Sequence, residues 1–77
     1  MSNRTADVQH ILSDQDPEFR EWATEHHRCE IRLEELTSKN EISTDEEIEE
    51  KTLKKRKLHL KDLMAERIRA FTSQAVA

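Results

Sequence analysis

Across seventy-seven residues the chain carries no glycine and a single proline, Pro17. Tight turns between strands lean on glycine at positive φ, so this chain has little means of folding a sheet back on itself. Helices are what remain. Charged residues make up 39% of the chain and aromatics only 4%. That balance fits either a helical assembly with a charged surface or a disordered segment, and hydrophobic periodicity decides between them.

The periodicity is helical. Phe19, Trp22, His26, Cys29, Leu33 and Leu36 follow one another at spacings of 3, 4, 3, 4 and 3. This is an a/d seam held for almost three heptads. Asp16-Pro17 starts that helix cleanly, with Asp16 as the cap and proline where an N–H would have no partner. The spacing predicts a first long helix over 17–39. Upstream, Val8, Ile11 and Leu12 behind a Thr5 cap predict a short helix over 5–13. Downstream, Ser43 and Thr44 each have a glutamate three residues on, the pattern of a capping box, so the cap falls on one or the other. A second long helix over 44–72 then gathers Leu53, Leu60, Met64, Ile68 and Phe71 on one face, with Leu63 on its flank. Lys57 lies on the same face, its stem able to cover the seam while the ammonium reaches water. Residues 73–77 read as a flexible tail.

The connection near Glu41-Ile42 is short, so the two long helices are expected to pack antiparallel. That register sets Phe19 near Met64, Trp22 near Leu60 and Lys61, His26 near Lys57, and Leu33 near Leu53. Charge agrees with it. Residues 14–50 hold fourteen acids against four bases, whereas residues 51–69 hold eight bases against two acids. Exposed pairs are worth only ~0–1 kcal/mol each, so this polarity orients the helices more than it stabilises them.

The residues Asp16-Pro17-Glu18-Phe19, His26, and Leu53-Lys54-Lys55-Arg56-Lys57-Leu58-His59-Leu60-Lys61-Asp62-Leu63-Met64 resemble the small bacterial YdcH-like family. With the leading helix the resemblance spans about residues 5–71. It implies a coiled-coil hairpin in a short cytoplasmic protein, and it brings no established activity. Cys29 departs from the pattern, standing where a larger apolar residue is common, which implies looser packing there.

Chemistry is sparse. His26 and Cys29, three apart on one face, supply two ligands of the four a structural zinc needs, and a second pair would have to come from His59 or from another subunit. Read as base and nucleophile, they lack an oxyanion site and a pocket. The acidic run Glu41 to Glu50 lacks the glycine and alternating oxygen ligands of a calcium loop. The basic run over 51–61 is the best candidate for nucleic acid, but it wraps around its helix, no aromatics interleave it, and the chain is net −4. No catalytic, metal or cofactor residue is therefore expected, and no small-molecule substrate.

Size points elsewhere. Chains below ~80 residues usually need a disulfide, a metal or a partner to hold together. One cysteine rules out an internal disulfide and suits a reducing compartment. No apolar run approaches the ~18 residues of a membrane span, nor does the start resemble a signal peptide. Ile31, Ile48 and Leu58 fall away from the two seams and would meet water in a lone hairpin. The expectation is an all-α protein: a short helix, then an antiparallel two-helix hairpin with Phe19, Trp22, Leu33, Leu53, Leu60 and Met64 in its core. It would be a cytoplasmic, non-catalytic module that associates with itself or another protein through Ile31, Ile48 and Leu58. The alternative is a nucleic-acid-binding accessory protein.

Overall fold

The computed structural model describes residues 4–76, with side chains from 7 to 73. Among the described residues there are three α-helices and no strand: α1 (Arg4–Gln15), α2 (Pro17–Thr37) and α3 (Thr44–Val76). No backbone φ among them is positive, as a chain without glycine requires.

Each boundary follows from local chemistry. Asp16 leaves the helical region (φ −114°, ψ 104°), and its Oδ1 accepts from the N–H of Glu18 at 3.0 Å and of Phe19 at 3.2 Å. Two of the unpaired donors at the start of α2 are thereby satisfied. The last turn of α1 holds no basic residue; instead Arg20 reaches back and donates to the carbonyls of Ser13 (2.7 Å) and Asp14 (2.9 Å). One break in the helical path thus closes both ends that meet there.

Two boundaries differ from expectation at the ends of α1. It runs from Arg4 to Gln15, so Thr5 lies inside it and does not cap it; the residue before it lies outside the described residues. α2 stops at Thr37, two residues before Lys39, because hydroxyls take over its last carbonyls. Thr37 Oγ1 donates to the Leu33 carbonyl (2.6 Å) and Ser38 Oγ to that of Glu35 (2.9 Å). α3 continues past Thr72 to Val76, so residues 73–76 are helical and only Ala77 lies outside the described part. Ser73-Gln74-Ala75-Val76 contains neither glycine nor proline to end it.

Ser43 is the cap of α3. Its Oγ accepts from the Glu46 N–H (3.1 Å), while the Glu46 carboxylate accepts from the Ser43 N–H (3.0 Å). Ser43→Ala removes one half of this exchange and should cost about 1 kcal/mol in a urea melt. Ser43→Asp should recover most of it, and equal stability of all three proteins would count against the cap.

α2 and α3 touch along the length of α2 through paired charges. Lys39 bonds Glu46. Arg32 meets Glu49 with two N–H groups, at 2.7 and 3.0 Å. Glu30 lies 3.5 Å from Lys57. Arg56 grips Glu25 at 2.7 and 2.9 Å. Arg67 holds both Asp16 and Glu18, the latter at 2.7 Å. From Lys39–Glu46 at one end to Asp16 and Glu18 with Arg67 at the other, low numbers on one side meet high numbers on the other.

The apolar interior is thin. Leu12, Phe19, Cys29, Leu36 and Leu60 are buried, with Leu60 fully enclosed. Trp22, Leu33, Leu53 and Met64 are half-buried. α3 has 33 residues and α2 has 21, so α3 extends beyond its neighbour. The 12-residue α1 touches both helices, and its Leu12 joins the interior there.

Candidate functional site

An open groove of about 810 Å³ is formed by all three helices. Phe19 and Ala23 of α2 and Met64, Ala65 and Ile68 of α3 supply its apolar lining, while Gln9 and Ser13 of α1 close one end. Its two rims differ in sign: Glu30 stands on the α2 side, Lys57 and Lys61 on the α3 side. His26 also lines it, with Nδ1 3.8 Å from Glu30. Phe19 and Met64 thus share one groove, as do His26 and Lys57, in the register that the sequence suggests.

Trp22 lies elsewhere. Phe19 and Trp22 are ~60° apart around α2, the two edges of one seam, so each can line a groove on its own side of it. Trp22 lines a second, smaller groove of about 470 Å³ with His59, Leu63 and Arg67. The Arg67 guanidinium lies over the indole, 4.8 Å from its centroid. Trp22 therefore sits beside the Leu63 flank, and Lys61 belongs to the other groove. Arg67 both grips the start of α2 and covers its tryptophan, a double role the heptad pattern does not reveal.

Four of the carboxylates in these pairs, Asp16, Glu25, Glu46 and Glu49, are acidified. Lys39, together with the Ser43 N–H, holds Glu46 down to about 2. Arg56 lowers Glu25 and Arg32 lowers Glu49 below the usual carboxylate range. At Asp16, partial desolvation pushes upward, but the Phe19 N–H and Arg67 outweigh it and the net shift is downward.

Other chemistry is not assembled. His26 lines the larger of these two grooves, His59 the smaller, and Cys29 is a free, buried thiol. Among the described residues no three His, Cys, Asp or Glu side chains are grouped as a metal ion would require. The basic run is dispersed around α3. Arg56 turns to Glu25, Lys57 to Glu30 and Lys54 to Glu50, while His59 and Lys61 line different grooves. Among the described residues no helix is long and apolar enough to cross a membrane.

The three outward apolar residues are exposed: Ile31 by 47%, Ile48 by 59% and Leu58 by 60%. They do not share one side. Ile31 and Leu58 each follow a groove-rim residue, Glu30 and Lys57 respectively. Ile48 is nine residues from Lys57, about half a turn around α3 from it.

Residues 19–68 match the family described as Protein of unknown function (DUF465). No curated protein matches the chain, and no solved structure does.

Proposed function

We propose, from the premise that the chain belongs to the YdcH-like family of proteins of unknown function (DUF465), that it is a non-catalytic association module. In this reading α2 and α3 form an antiparallel, coiled-coil-like hairpin braced by α1, and the hairpin presents apolar surface to another protein chain. The observation that carries it is the mismatch between interior and surface. Among the described residues five apolar side chains are buried, while Ile31, Ile48 and Leu58 remain near or above half exposed. Scattered single apolar residues are ordinary on a protein surface. Here they stand on a protein too small to hold a generous core. The paired charges along α2 and α3 support a fixed register between the helices. A cytoplasmic location accords with the lone thiol.

The test is chemical cross-linking in the native cell, followed by recovery of the tagged protein. Protein adducts, of its own copies or of another chain, are expected with the natural sequence. They should be depleted when Ile31→Lys and Leu58→Lys are combined. A folded protein that yields no protein adduct would remove the proposal. Recovery of nucleic acid, lost in high salt and with Lys54, Lys55 and Lys57 changed to Glu, would also count against it.

A further inference from the structure

Charge in the 810 Å³ groove is not balanced. Lys57, Lys61 and Arg69 line it against a single acid, Glu30. That acid is already engaged, 3.5 Å from Lys57. Arg69 meets only the exposed Glu66, at 3.6 Å, and among the described residues no carboxylate pairs with Lys61. Positive charge is therefore left over here, in a chain whose net charge is −4. At physiological salt exposed charges more than ~8 Å apart are largely screened, so a group seated in the groove responds to its lining and not to the chain's total.

The floor between these cations is apolar. Phe19 is enclosed, Ala23, Met64 and Ile68 are half-buried, and Ala65 is exposed. The α3 wall runs from Lys57 to Thr72, ~22 Å of helix, so the space is elongated. One helix already rests on this pair: α1 touches both α2 and α3, buries Leu12, and ends the groove with Gln9 and Ser13. The trough between two packed helices is the complement of a third, and α1 closes only one end of it. An occupant that matches both floor and lining is helical, apolar on one side and acidic along the flanks. A nucleic-acid strand matches the cations alone, because Phe19, 1% exposed, offers no face on which a base could stack.

We infer that this groove is the docking site for an acidic amphipathic helix of another protein. Its apolar side would lie on Ala23, Met64, Ala65 and Ile68, and its carboxylates would face Lys61 and Arg69. The inference rests on the association-module reading and narrows it to one face and one class of partner.

The test is a titration of the isotope-labelled protein with a synthetic helical peptide of leucine, alanine and glutamate, about fifteen residues long with leucines at helical spacing. Backbone amide shifts are expected at Ala23, Met64, Ala65 and Ile68 and not at Ile48. A peptide with lysine in place of glutamate should bind roughly tenfold or more weakly. Lys61→Glu should weaken the acidic peptide by a similar factor, whereas Lys55→Glu, equally exposed but off the groove, should change little. Equal binding of the two peptides, or equal losses at Lys61 and Lys55, would overturn the inference. So would groove shifts produced by a single-stranded oligonucleotide and not by the peptide, or by raising the protein's own concentration alone. The peptide comparison needs no substitution, so it decides even if a variant misfolds. An acidic peptide that leaves the groove unmoved, while protein adducts still form in the cell, would overturn the groove assignment and leave the module reading standing. Loss of both would remove the two together.

Discussion

Leu60→Ala should cost the protein about 2–5 kcal/mol, a large share of what keeps it folded. Leu60 is fully enclosed between α2 and α3, one of five apolar side chains buried among the described residues. Removing three carbons from such a site forfeits their transfer energy and leaves a cavity, together about 2–5 kcal/mol. A domain of 77 residues has only ~4–12 kcal/mol to lose. In a larger protein the neighbours would share the loss, but here the interior is one layer thick and little lies behind Leu60 to collapse inward. Far-ultraviolet circular dichroism followed through a urea series is the check. The midpoint should fall steeply, or no folded baseline should remain. Leu58→Ala, two residues away and 60% exposed, should change it little. Equal effects at the two positions would mean that this face of α3 is not the interior.

Acid should melt the protein progressively as pH falls from about 4.5 towards about 2. The sign follows from the depressed carboxylates. Glu46 titrates near 4.5 in the unfolded chain and at about 2 in the folded one, so between those values the unfolded state binds the extra proton. Stability from this group is complete above pH 4.5 and is lost as pH drops through the folded value. Asp16, Glu25 and Glu49 are lowered as well, so they act in the same direction. These groups lie at the partly exposed surface, where salt screens them, so added salt should blunt the effect. Melting temperatures at stepped pH measure it. Lys39→Met, which removes the largest cause of the Glu46 shift, should flatten the curve within that window. A melting temperature that rises on acidification would contradict the pairing.

Much of this architecture is written locally. Asp16-Pro17 and Ser43 with Glu46 are helix starts whose hydrogen bonds involve neighbours within three residues, so spacing alone reveals them. The seam from Phe19 to Leu36 and the face from Leu53 to Phe71 are legible for the same reason: a helix converts spacing into sidedness. That His26 and Lys57, and Phe19 and Met64, line one groove agrees with the short connection between the long helices.

What the sequence hid is set by tertiary placement. Arg20 caps a helix that ends before it, and Arg67 joins Asp16, Glu18 and Trp22 from 45 or more positions away. No periodicity encodes such reaches. The stop of α2 at Thr37 was hidden by competition between hydroxyls and backbone, which is settled by a few tenths of a kcal/mol. The groove was invisible because it needs α1 laid across both long helices, and nothing in the 12 residues of α1 states where they dock. Its lining was legible only in part: Phe19 and Met64 stand out as seam residues, whereas Ala23 and Ala65 are small enough to pass for surface.

Sedimentation equilibrium of the unmodified protein, run from low to high micromolar concentration, addresses the central claim most directly. Association of the chain with its own copies through exposed apolar residues predicts a mass that climbs above 9.1 kDa as concentration rises. A mass of 9.1 kDa at every concentration, with the helices intact, would contradict pairing of the chain with its own copy.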